Sequence, residues 1–164
     1  MNESLSNIIN HLSAIPVTKA YIEYRKKHWE LGYSKAEVQL DAQLLEYYLI
    51  TLGLVGKTDS IKNDFYYDCM LVDVKEVNNK WFNVGGKSGD KKHWWIDNVN
   101  EGNLTHFLFI KTDRDSSKLL SVGDTVNVLE HKLYAAMDII NQLEKSNYGG
   151  YYMDPKKIFN NKEQ

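Results

Sequence analysis

Leu5, Ile8, Ile9, Leu12 and Ile15 recur at helical spacing and Pro16 closes the run, so the pattern predicts a short amphipathic helix. A second helix is expected over Lys19 to Leu31, ended by Gly32. Ser34-Lys35-Ala36-Glu37 has the form of a capping box, in which the serine accepts from a free backbone N–H and the glutamate reaches back. The helix it opens is expected to run to about Leu52 and to stop at Gly53, a residue suited to a left-handed C-terminal cap. Val38, Ala42, Leu45, Leu49 and Leu52 make its buried stripe, with Asp41 and Glu46 on the two borders.

Beyond Gly53 the period changes from 3.6 to 2. Residues 63–75, Asn63-Asp-Phe-Tyr-Tyr-Asp-Cys-Met-Leu-Val-Asp-Val-Lys75, read as a tight hairpin turning at Asp68-Cys69. Tyr67 then pairs with Met70, Tyr66 with Leu71 and Phe65 with Val72, and Asp64 falls opposite Asp73. Lys62, Asp64, Tyr66, Leu71, Asp73 and Lys75 share one face, which leaves Phe65, Tyr67, Met70, Val72 and Val74 for a core. A turn at Val77 to Lys80 leads into a third antiparallel strand at Trp81 to Val84. Gly85 to His93 reads as a polar glycine-rich loop, after which Trp94, Trp95 and Ile96 return toward the core.

Thr105 to Lys111 is apolar enough for a strand buried on both faces of a mixed sheet. Gly123 to Leu129 is expected to be a strand and Glu130 to Lys145 a helix, with Tyr148 to Tyr152 turning into a short extended piece and Asn160 to Gln164 frayed. The fold class is therefore α/β (α+β), a central mixed β-sheet flanked by helices. The 164 residues fit one domain: N-terminal helices over 1–33, a core over 34–113, and a C-terminal strand, helix and tail over 114–164.

A hydrophobic fraction of 43% excludes wholesale disorder. No membrane span is expected, and the N-terminus resembles neither a signal peptide nor a transit peptide. The single cysteine, Cys69, excludes an internal disulfide and a cysteine-based zinc cluster, which fits a cytoplasmic location. Heavy use of Lys, Asn, Ile and Tyr with only Arg25 and Arg114 as arginines is the usage of an AT-rich genome, such as a bacterial or phage one. A net charge of −2 requires that any nucleic-acid binding use a local patch, because phosphate neutralisation carries most non-specific affinity.

The chemistry lies in the hairpin. Like charges directly opposite each other cost stability, and a divalent cation between Asp64 and Asp73 would remove that cost. Hard ions such as Mg²⁺ take oxygen ligands and commonly use one or two carboxylates with phosphate and water. Asp64, the turn, and Asp73-Val74-Lys75 resemble the core of the PD-(D/E)xK superfamily, the restriction-endonuclease-like nucleases, over roughly Glu37 to Asp113. Those proteins carry an acid on one strand and (D/E)xK on the next, framed by an earlier helix and a later strand. The resemblance carries over Asp64, Asp73 and Lys75. Asn63 stands where the family pattern has proline, and the turn is Asp-Cys instead of a glycine turn, which leaves Asp68 as an alternative to Asp64 for the first carboxylate.

The resemblance implies a restriction-endonuclease-like fold and an Mg²⁺- or Mn²⁺-dependent endo- or exonuclease acting on nucleic acid, DNA ahead of RNA. Asp64 and Asp73 would hold the metal, Lys75 would serve catalysis, and Glu46 could add a ligand from the helix. Gly86-Lys87-Ser88 is not a phosphate loop, since Trp81 occupies the position where that motif needs glycine. Lys87, Lys91, Lys92 and His93 beside Trp94 instead suit gripping phosphates and stacking on a base, or else form a solvated loop followed by core tryptophans. No two of the five histidines have zinc-ligand spacing. A homodimer is compatible with this reading. The alternative is a non-catalytic nucleic-acid-binding or phage–host interaction protein with a nuclease-like fold.

Overall fold

Period-two alternation in one apolar run organises the molecule. Between His106 and Thr112, Leu108 and Ile110 join one hydrophobic core while Phe107 and Phe109 join a second on the opposite face of the same strand. The computed structural model describes residues 4–12, 14–30, 40–58, 63–77, 82–84, 91–114, 119–145, 151–154 and 156–159.

The chain begins with α1 (Leu5–Asn10), capped by the Ser4 hydroxyl, which accepts from the Asn7 N–H at 3.2 Å. There follow a short β1 (Ile15–Pro16), α2 (Lys19–Glu30) and α3 (Leu40–Thr51). Next come β2 (Gly56–Lys57), β3 (Phe65–Tyr67), β4 (Met70–Glu76), β5 (Phe82–Val84), α4 (Lys91–Asn100) and β6 (His106–Thr112). The remainder is β7 (Thr125–Val126), β8 (Val128–Ala135), α5 (Ala136–Ile140), β9 (Glu144–Lys145), β10 (Tyr151–Met153) and α6 (Lys156–Phe159). The main sheet has five strands in the order β2-β3-β4-β6-β8, antiparallel throughout except for the parallel pair β4 and β6. Two parallel neighbours require a crossover, and α4 lies in it. The sheet is therefore mixed and flanked by helices, as expected.

One face of the sheet, carrying Val72, Val74, Leu108 and Ile110, packs with Leu5, Ile9, Tyr21, Leu45 and Leu49 from the first three helices. The other face, carrying Phe107 and Phe109, packs with Trp95 of α4, Ile139 and Ile140 of α5, and Ile158 of α6. Hydrophobic burial on both sides makes this a three-layer arrangement. It also corrects the expectation that Asp73 and Lys75 face away from a core: their face is covered, and Asp73 is only 8% exposed.

Several other expectations change. Residues 130–135 form strand β8 instead of the start of a helix, because pairing with β6 from His106 to Thr112 overrides the helix preference of Leu, Glu, Lys and Ala. The helix arrives only with α5. Lys91 to His93 open α4 instead of ending a loop. Strand β5 pairs with β10, not with the hairpin, in a small sheet ordered β5-β10-β9. Leu52 lies beyond the end of α3 and is 49% exposed, so the buried stripe ends at Leu49 and includes Leu44. Gly53 does take the left-handed conformation, with φ of 73°. The proposed Ser34 to Glu37 cap, Val38, Lys62, the turn at 78–80, Trp81 and the stretch from Gly85 through Lys87 lie outside the described residues.

Candidate active site

The hairpin has the register that its alternation predicts: Phe65 pairs with Val72, Tyr66 with Leu71 and Tyr67 with Met70. Asp68 sits at the first turn position with φ of 56° and is the one described non-glycine residue with positive φ, a conformation that Asp tolerates better than most. It is exposed at the tip, so the register sets Asp68 apart, and Asp64, one residue before the paired strand, bears electrostatically on Asp73. Asn63, just before Asp64, is buried and held at both ends of its amide. Its Oδ1 accepts from the Thr58 hydroxyl at 2.7 Å, and its Nδ2 donates to the Asn103 carbonyl at 2.7 Å. This anchor fixes the chain entering Asp64.

At Asp64 the backbone N–H donates to the Val72 carbonyl at 2.7 Å, and Oδ2 accepts from the Val74 N–H at 2.7 Å. The carboxylate is thus tied to the backbone of the strand that carries Asp73 and Lys75. Asp73 Oδ2 lies 3.2 Å from Lys75 Nζ, an ion pair without hydrogen-bond geometry, so that buried oxygen has no hydrogen-bond partner. Lys75 Nζ is also 5.0 Å from the centroid of the Trp95 ring.

Glu46 completes the cluster from α3, the helix packed on the hairpin. Burial, followed by the negative charge of Asp73, pushes its carboxyl up to about 8, against a smaller opposing pull from Lys57. Asp64 is raised well above the ordinary carboxylate range, first by burial and then by Asp73 and Glu46; the Val74 N–H and Lys75 act in the other direction. Asp64 keeps some surface exposure as a residue, but its carboxyl end is enclosed, and that end sets its titration. Three carboxyl groups therefore bear on one another, with two ammonium groups, Lys57 and Lys75, acting against them.

No protein-family model matches the chain, and no curated protein does either.

The fit of a divalent ion follows from the donors. Among the described residues, no three His, Cys, Asp or Glu side chains form a ready-made metal cage. Asp64 and Asp73, with Glu46 nearby, instead suit a hard ion that keeps water and takes one or two carboxylates. Asp73 Oδ2, buried without a hydrogen bond, is an oxygen that such an ion would satisfy.

The remaining sequence candidates lie on α4 or outside the described residues. Lys92 Nζ donates to the Leu143 carbonyl at 3.4 Å, and Trp94 packs edge-on against Trp95 at 4.8 Å beside the second core. His93 is exposed on α4; the Lys91 side chain and all of Lys87 are outside the described residues. Asp41, on the same helix as Glu46, belongs to a separate group: it is ion-paired with Arg114 and accepts from the Thr112 hydroxyl at 2.6 Å. Sequence reading missed Lys57, Trp95 as a neighbour of Lys75, and Tyr24. The Tyr24 hydroxyl is pushed up by burial first and then by Glu46, with Asp64 contributing, and its ring lies 4.8 Å from that of Tyr47. The only local signal for Tyr24 was its helical spacing from Tyr21; Lys57 had none.

Proposed function

We propose that this protein is a metal-dependent nuclease with a restriction-endonuclease-like fold that hydrolyses phosphodiester bonds in nucleic acid, DNA ahead of RNA. The observation that carries the reading is the meeting of Asp64, Asp73, Glu46 and Lys75, delivered by a hairpin and the helix before it. The element order supports it too: α3 precedes the antiparallel pair, and β6 follows parallel to β4.

In this reading Asp64 and Asp73 would hold Mg²⁺ or Mn²⁺, and Glu46, whose charge bears on both, could add an oxygen. When bound, such an ion supplies Lewis acidity toward a phosphate oxygen and lowers the pKa of water. Lys75 orients the attacking water by hydrogen bonding and offsets charge that develops on the attacked phosphate. Glu46 must give up its proton before it can act as a ligand, so activity should rise as pH climbs toward 8.

The test is incubation of purified protein with labelled single-stranded and duplex DNA and RNA, with and without Mg²⁺ or Mn²⁺. Cleavage that needs the metal is expected. Binding without cleavage under every condition would favour the non-catalytic nucleic-acid-binding or phage–host interaction protein.

A further inference from the structure

Lys75 stands between an acid and an aromatic ring. Its ammonium lies 3.2 Å from Asp73 Oδ2 and 5.0 Å from the Trp95 centroid, where the negative face of an indole attracts a cation. Trp95 is 4% exposed and is braced on two sides, by Trp94 at 4.8 Å and by Phe107 at 5.2 Å, both edge to face. Phe107 is in turn the strand partner of Asp73 in the parallel register. The ring that meets the ammonium and the strand that carries the acid are thus locked to each other through one residue.

We propose that Trp95 is a positioning residue that clamps the Lys75 ammonium beside Asp73, a role that rests on Lys75 serving the nuclease site. A lysine amine rides on a flexible four-carbon stem and has no fixed direction of its own. Asp73 alone supplies one contact without hydrogen-bond geometry. The indole restricts the stem from a second side in a water-poor setting, where a cation–π contact is stronger than at the surface.

The test combines a substrate-free readout with a kinetic one. In protein carrying ¹³C-labelled lysine, the Lys75 ε-methylene protons, assigned by their loss in Lys75→Arg, should lie upfield of the other lysines because of the indole ring current. Trp95→Leu should return them to the common position, and Trp95→Phe should leave them between. In Mn²⁺-dependent cleavage, Trp95→Leu should lower kcat about tenfold with little change in KM, the scale of one desolvated cation–π contact, and Trp95→Phe should recover most of the loss. Ile139→Val, which loosens the same core from α5, should lower thermal stability and leave kcat alone. If Trp95→Leu does not fold, Trp95→Phe against wild type gives the same comparison. Lys75 protons at the common position in the wild type would overturn the clamp, as would a kcat loss matched by Ile139→Val. A wild-type protein inert toward nucleic acid would contradict the nuclease reading, while the proton shift would still decide the clamp.

Discussion

Helix α3 presents two acids five residues apart, and the fold treats them in opposite ways. Asp41, 1% exposed, is fully answered: Arg114 forms an ion pair with it, and the Thr112 hydroxyl adds a hydrogen bond at 2.6 Å. The turn around it is anchored as well, since Glu76 accepts from the Asp41 and Ala42 N–H groups at 2.9 and 3.3 Å. Glu46, just over one turn further on, meets the charge of Asp73 and bears on Asp64; Lys57 opposes the rise at Glu46, and the Lys75 that Asp73 already engages opposes it at Asp64. Buried charge is tolerated when it is paired and hydrogen-bonded; buried acids set against one another are costly and are found where chemistry needs them. The contrast separates a structural acid from a functional cluster more clearly than burial does, because Asp41 and Asp73 are both buried.

The largest effect that would sharpen this contrast is on activity. Asp73→Ala and Lys75→Ala should each reduce metal-dependent cleavage by at least about a hundredfold, the scale of losing a transition-state contact or a metal ligand. Asp41→Asn should leave kcat within a few-fold at temperatures where the variant stays folded. Equal losses in Asp41→Asn and Asp73→Ala, measured on samples of matched fold by circular dichroism, would erase the distinction.

On stability the order reverses. Arg114→Ala should cost about 3–5 kcal/mol in denaturant unfolding, because it strands the Asp41 charge in the interior. Neutralising a crowded acid of the functional cluster, as in Glu46→Gln, should cost far less, or stabilise.

Glu46 gives the pH dependence. Its carboxyl is raised from 4.5 to about 8 in the folded protein, so folding favours the protonated form. That contribution is complete below pH 4.5 and is lost as the pH rises through about 8. Metal-free protein should therefore lose stability between these limits, and Glu46→Gln should be more stable than wild type at pH 8 by on the order of a few kcal/mol, with the advantage gone at pH 5. Thermal melts in chelator at the two pH values check this; an advantage for Glu46→Gln that does not change with pH would contradict it.

The smallest expected effect concerns Lys57. Lys57→Ala should move the Glu46 titration further upward, since that lysine opposes the rise, while leaving the Asp41 group untouched. A ¹³C-carboxyl titration of Glu46 by NMR reads the direction.

Much of the site was legible because it is local. The hairpin pairs residues a few positions apart, so alternation and a two-residue turn were enough to give its register from Phe65 and Val72 to Tyr67 and Met70. The run at β6 was legible for the same reason: four consecutive buried side chains, Phe107 to Ile110, need no partner to be recognised as a core strand. What failed was decided at a distance. Nothing near Asp41 or Glu46 in sequence distinguishes them, since the Arg114 and Thr112 partners of Asp41 lie at the far end of β6 and just beyond it. Strand β8 has helix-forming residues, and only its long pairing with β6 makes it a strand. The Lys75 and Trp95 contact depends on α4 crossing over the sheet, which the polar residues before Trp94 concealed.

The measurement closest to the central claim is calorimetric titration of Mn²⁺ into wild type, Asp64→Asn, Asp73→Asn and Asp68→Asn near pH 7 in buffers of different ionisation enthalpy. The account predicts saturable binding in wild type with release of protons from the crowded carboxyls, the same binding in Asp68→Asn, and loss of it in Asp64→Asn and Asp73→Asn. Binding kept in both Asp64→Asn and Asp73→Asn, or lost in Asp68→Asn alone, would contradict it.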